Sequence, residues 1–289
     1  MSEGQSVLFD VPGPRTRRRN RIIGVVGGAL ILALLAGLVW GLREQLAPRK
    51  WQPFADATTW TAYLLPGLLA TLRAAVISVL ASSAIGLLLG MGRLSHVKAI
   101  SWLCGLVVEF FRSVPVLMMM VFSYYAYLST GLFSGDVLSL MGVVTGLTVY
   151  NSCVMAELVR AGVHGLPAGQ LEAGQAIGLT HSQVLRSIQL PQAISAMLPS
   201  LVSQLVIILK DTALGYMITY PELLRAAQYI DAVYGNLVVG FLIVAVIFYI
   251  LNWSLTRLAH MLEARLRSRR IAPARIVGPG APLDEVEIS

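Results

Sequence analysis

Charge is scarce in this chain: 13% of its 289 residues are Asp, Glu, Lys or Arg, while 56% are apolar and the mean hydropathy is +0.72. That balance excludes an ordinary water-soluble domain, in which about a quarter of residues are charged. Cysteine is as sparse. Cys104 and Cys153 both fall in apolar stretches with no metal-ligand partner at useful spacing, so they read as core residues. Lysine occurs only at 50, 98 and 210, and none follows a glycine. No G-x-x-x-x-G-K-[ST] phosphate loop is therefore possible, and the chain is not itself an ATPase. An H-E-x-x-H or Ser/His/Asp arrangement is missing too, which removes support for an intramembrane hydrolase or any other enzyme.

What the chain has instead is long apolar runs. A hydrocarbon core about 30 Å thick takes about 20 apolar residues per helix. Six segments qualify: 22–42, 63–91, 101–128, 137–159, 192–219 and 236–258. The fold class is all-α, a polytopic transmembrane helical bundle with six predicted spans. Arginines at 15, 17, 18, 19 and 21 before the first run resemble the start of a signal peptide, but the run continues from Ile22 to Leu42 with no small-residue cleavage pattern after it. It reads as an uncleaved span.

Lys and Arg in short loops are retained on the cytoplasmic side. With the N-terminus inside, fifteen of the 22 basic residues lie on inner segments and four (Arg43, Arg49, Lys50, Arg225) outside, with Arg73, Arg112 and Lys210 within spans. Both termini are thus expected in the cytoplasm, and His96, His164, His181 and His260 on that side or at its edge. The net charge of +7 needs no nucleic acid to explain it, and the HMLEARLRSRR helix end reads as a lipid-headgroup anchor. Residues 1–21 form an expected disordered basic tail, and 259–289 a C-terminal cytoplasmic tail whose end, 271–289, is likewise expected to be disordered.

A cytoplasmic loop of about 32 residues, 160–191, joins spans four and five, far longer than the usual helix–helix connection. Within it, EAGQAIGLTHSQVLRSIQLPQA has the chemistry of two short helices and a bend. Pro167 suits a first helical turn, and the first helix can run to Gly178, whose missing Cβ permits a positive φ. Thr180 and Gln183 have capping-box spacing for a second helix with an apolar stripe of Val184, Leu185 and Ile188, ended by Leu190-Pro191. A connector packed on its own spans is the plain alternative. The length and the apolar face suggest a ligand for a groove on a partner.

The pattern Glu172-Ala173-Gly174, then Gly178, then Ile188, Leu190 and Pro191 resembles the EAA loop of membrane subunits of ATP-binding-cassette importers. Every spacing fits. One position departs: Gly174 stands where the family has Ala, which would loosen the first helix. The stretches EFFRSVPVLMMM and LVIILKDTALGYMI extend the likeness to permeases for polar amino acids, over about 63–258. The resemblance implies a five-span importer core, so 22–42 is an N-terminal addition, most similar to glutamate permease subunits. It also implies that the loop docks in a cytoplasmic ATPase present in two copies, which holds the ATP and magnesium while this chain binds no cofactor and no metal. A second permease subunit, identical or homologous, and an extracytoplasmic solute-binding protein complete the implied assembly in a bacterial cytoplasmic membrane.

Ionisable groups within spans are expensive and need a partner or a task. Glu109 and Arg112 share a helix face three residues apart, Arg112 near mid-membrane by the helical rise, and Pro115 would bend the helix just after them. Lys210-Asp211-Thr212 sits late in the fifth span. An amino acid carries one carboxylate and one ammonium, and Arg112, Lys210, Asp211 and Glu109 offer both signs, with Arg112 suited to a planar carboxylate. The plainer reading makes Glu109–Arg112 an internal ion pair and lets Lys210 reach the outer headgroups. Glu157 and Arg160 read as a helix-end pair, and Met118-Met119-Met120 as packing. Arg73 has no assignment from sequence. The leading expectation is a permease subunit of an ATP-driven amino-acid importer. An ion-driven carrier or channel with Glu109, Arg112 and Asp211 as relay is the alternative, and a membrane scaffold that moves nothing is disfavoured by the buried charges.

Overall fold

In the computed structural model, residues 13–167 and 169–268 are described. The expectations for 1–12 and 271–289 lie outside them. Helix α1, Pro14–Gly41, starts earlier than the expected span because proline in a first helical turn loses no hydrogen bond. Residues 14–21, expected to be disordered, are helical. None of its residues is buried, so the added helix leaves its apolar surface open among the described residues.

A short α2, Pro48–Trp51, and a 3-10 turn, Gln52–Ala55, lead to α3, Ala57–Thr59, whose first turn is capped by Asp56. A π turn joins α3 to α4, Leu65–Arg93. Along α4, Ala74, Ser78, Ser82, Gly86 and Gly90 recur every four residues and are all buried. A methyl group at Gly86 would stand 2.5 Å from Met155 Cβ, and one at Gly90 2.8 Å from Val159 Cβ. This small-residue stripe lets α4 lie against α7 (Gly135–His164), in a setting where close backbone approach drives helix association.

The expected third span is not one helix. Helices α5, Lys98–Ser113, and α6, Val116–Thr130, meet at 97° across Val114–Pro115. Pro115 has no N–H to continue the ladder of α5, and its predecessor Val114 is extended, as residues before proline prefer. Among the described residues five helices are long and apolar enough to cross a bilayer, six when the bent pair is counted as one broken span. The central helix is α7. Its Gly146 receives Met120 of α6, which is fully buried, and its Asn151 accepts from Gln204 on the fifth span at 2.6 Å. Buried amide pairs of this kind hold helices together where the lipid offers no alternative partner.

Beyond α7, the loop helices α8, Gln170–Ala176, and α9, His181–Val184, precede α10, Leu190–Asp211, and a 3-10 turn, Thr212–Ile218. Helices α11, Leu223–Tyr234, and α12, Leu237–Ser268, complete the chain as described. Glu222 is fully buried and caps α11, accepting from the N–H groups of Leu224 and Arg225 at 2.7 Å each.

Candidate functional site

The polar loop is a helix, a bend and a second helix. Gly178 takes φ +85°, its N–H bonds Gln175 O at 2.9 Å, and Leu179 N–H reaches back to Gly174 O at 3.1 Å, closing the end of α8. Thr180 then caps α9 through the full capping box: Gln183 N–H donates to its hydroxyl, and its own N–H donates to Gln183 Oε1 at 2.8 Å. Pro167 is outside the helix. Gly169, at φ +91°, forces the chain to start α8 only at Gln170.

Gly174 has a packing role rather than a loosening one. A methyl group there would come within 2.5 Å of Val184 Cγ2, and Val184 is fully buried, so the missing Cβ sets how tightly α8 lies on α9. Glu172 and Ala173 remain exposed, and Ile177, just past the end of α8, is 76% exposed. A cleft of about 610 Å³ runs beside them, lined by Gln170, Ala173, Gly174, Ile177, Ile188 and Gln192 among others.

Leu190-Pro191 does not end the second helix, contrary to expectation. A π turn, Leu185–Gln189, widens the backbone just before the proline, leaving room for a ring that an α turn would crowd, and the chain passes directly into α10. His181–Ile218 is thereby one helical body of 38 residues, from the loop to the far half of the bundle. Gln170 of α8 is tied to this body by a reciprocal amide pair with Gln192, at 3.1 and 2.9 Å. No local sequence signal marks that pair, because its members are 22 residues apart.

The intramembrane charges also sort differently from expectation. Glu109 and Arg112 do not pair with each other. Glu157 is the hub: Arg93 binds its Oε2, Arg112 Nη1 lies 3.6 Å from the same oxygen, and Arg160 Nε reaches Oε1 at 3.2 Å. Arg93 also contacts Glu109 at 3.4 Å, with its own side chain only 10% exposed. Arg93 is the last residue of α4. Arg112 thus shares one layer with Arg93 at the C-terminal end of α4 and with Glu157 in the C-terminal part of α7. The expected Glu157–Arg160 pair is present within this larger network.

Lys210, Asp211 and Thr212 lie where α10 turns into its 3-10 extension. Lys210 is exposed, Asp211 half-buried, and Thr212 buried with its hydroxyl donating to Leu209 O at 2.6 Å. Gly215 just beyond packs on Val143, about 21 Å along α7 from Glu157. The five candidate substrate residues therefore occupy two layers, Glu109 and Arg112 in one, Lys210, Asp211 and Thr212 in the other.

Residues 82–268 match the family described as binding-protein-dependent transport system inner membrane component. The chain belongs to this family. It is 45% identical over 226 residues to the glutamate transport system permease protein GluD of Corynebacterium glutamicum, covering 78% of this chain and 83% of that one. It is 35% identical to the probable glutamine transporter permease protein GlnP of Bacillus subtilis, over 71% of this chain and 94% of the relative. Among solved structures, an amino acid ATP-binding-cassette transporter crystallised with histidines superposes with TM-score 0.65 at 27% identity, over 71% of this chain and 95% of that one. The methionine transporter MetNI in an inward-facing form shares the fold, with TM-score 0.62 at 21% identity over 73% and 99% of the two chains. This importer permease is accordingly a multi-pass membrane component.

Proposed function

We propose that this permease subunit moves a polar amino acid, with glutamate the best single candidate, inward across the bacterial cytoplasmic membrane, and that it performs no chemistry itself. ATP and magnesium are held by two ATPase subunits, a second permease chain, identical or homologous, completes the path, and an external binding protein delivers the substrate. Both termini lie in the cytoplasm. Glutamate rests on the likeness to GluD, 45% identical over most of both chains.

The observation that carries the mechanism is the continuity of His181–Ile218. A force applied to α8 by a closing ATPase passes through the Gln170–Gln192 pair and the Gly174–Val184 contact into α10. Helix α10 then delivers it to Lys210, Asp211 and Thr212 at its other end, about 30 Å away. A continuous helix converts a local tilt at the loop into displacement at the substrate residues, with Pro199 in its interior as a place where it can bend, the shear and hinge motion that alternating access needs. The ion-driven reading loses its relay, because Glu109 and Arg112 are engaged with Arg93 and Glu157 in a layer apart from Asp211.

The experiment is uptake of labelled glutamate, glutamine and histidine by proteoliposomes holding this chain, its ATPase and its binding protein. ATP inside should drive accumulation that survives a protonophore. Accumulation that collapses with the protonophore while ATP is constant contradicts the reading.

A further inference from the structure

Arg73 and Asp136 carry opposite charges and line one cavity of about 280 Å³, together with Tyr220, Pro221, Leu140 and Pro66. Both side chains are exposed, and among the described residues neither makes a hydrogen bond or an ion pair. Tyr220 forms the floor: it is buried, and its hydroxyl donates to Ala70 O at 2.8 Å. Arg73 stands close enough to that hydroxyl for its charge to be felt there.

The level of the cavity follows from two helices independently. Arg73 precedes Arg93 on α4 by about 20 residues, hence about 30 Å, and Asp136 precedes Glu157 on α7 by nearly the same length. Arg93 and Glu157 are bound to each other at the inner ends. One hydrocarbon thickness away, Arg73 and Asp136 therefore lie together at the opposite mouth of the bundle. The two layers differ in one respect: the inner charges are paired, and the outer ones line one cavity without an ion pair between them.

We propose that this cavity is an outer reception subsite for the zwitterionic end of an α-amino acid, with Arg73 taking the α-carboxylate and Asp136 the α-ammonium. The inference rests on the amino-acid importer reading above. Guanidinium geometry suits a carboxylate through two parallel N–H donors. The space is at the small end of ligand pockets, which fits one amino acid and not a peptide. The site reads the backbone end of the substrate and leaves the side chain to Lys210, Asp211 and Thr212, deeper in the bundle. An arginine that only reached for lipid headgroups would need no carboxylate opposite it in a shared cavity.

The test is binding of tritiated L-glutamate to the complex of this chain with its ATPase in nanodiscs, without binding protein, competed by glutamate α-amide and by glutarate. The first competitor lacks the α-carboxylate charge, the second the ammonium. Arg73→Gln should weaken glutamate binding about tenfold or more, the worth of a charged hydrogen bond, and close the gap between glutamate and its α-amide. Asp136→Asn should close the gap with glutarate, and Arg73→Lys should retain most of the binding. Should Arg73→Gln fail to co-purify with the ATPase, Arg73→Lys and Asp136→Asn still decide the matter. Wild-type affinity and discrimination in assembled variants overturn the subsite while leaving the importer reading intact. A wild-type complex that neither binds nor moves glutamate, glutamine or histidine overturns both.

Discussion

The side-chain amides of Gln170 and Gln192 bond each other twice, at 3.1 and 2.9 Å, and so fix the first loop helix to the start of the fifth span. Gln192 also donates to Ile188 O at 3.0 Å, which holds its amide in place. Each bond contributes about 1 kcal/mol, enough to matter in the joint proposed to carry force. Gln192→Ala or Gln170→Ala should leave ATP hydrolysis largely intact while lowering substrate moved per ATP. Parallel measurement of ATPase and uptake checks this, and the double variant should be no worse than either single one.

The contact of Gly174 with Val184 predicts a reversal. Gly174→Ala places a methyl group 2.5 Å from Val184 Cγ2 and should lower uptake by displacing α8. Val184→Ala in the same chain should recover much of it, although it leaves a small cavity of its own. At Gly178 nothing lies within 4 Å, so space is not the constraint there. Its φ of +85° is, and Gly178→Val should uncouple at a cost of about 1–3 kcal/mol that no second substitution nearby relieves.

The network at Glu157 predicts unequal costs for two carboxylates. Glu157→Ala strips Arg93, Arg112 and Arg160 of their shared acceptor, and with Arg93 nearly buried the loss should be about 3 kcal/mol. The Glu109 side chain, 73% exposed, forms an ion pair with Arg93 alone among the described residues, and Glu109→Ala should cost under about 1 kcal/mol. Thermal unfolding in detergent reads the difference directly.

Glu222 predicts a pH dependence. Burial pushes its carboxyl from 4.5 up to about 7, against the pull of the Leu224 and Arg225 N–H donors and the Arg225 charge. The folded chain therefore holds a proton that the unfolded chain has released, so stability falls as pH rises from about 4.5 to about 7 and is level above that. Glu222→Gln, which cannot ionise, should flatten that slope in denaturation measured across the range.

Much of this architecture is legible in the sequence because hydropathy and proline act locally. The apolar runs mark the helices that cross, Pro115 marks a break, and the spacing from Glu172 to Pro191 marks the loop, down to the Thr180 cap. What sequence does not carry is partnership over distance. Glu157 draws arginines from three helices, so the local spacing of Glu109 and Arg112 suggests a pair that geometry does not form. Pro191 signals a stop, yet the π turn before it absorbs the proline and keeps the helix whole. Arg73 and Asp136 come to line one cavity only because α4 and α7 pack together, which neither residue's local sequence signals.

The most direct test of the account is whether the loop holds the ATPase. Tagged protein purified in mild detergent from its own host should carry a stoichiometric P-loop ATPase with measurable activity, and Glu172→Ala, which changes an exposed side chain of α8, should lose the subunit or its activity while the permease itself stays folded. A wild-type preparation that carries no ATPase in several detergents, or a Glu172→Ala complex that binds and hydrolyses as wild type, would contradict it.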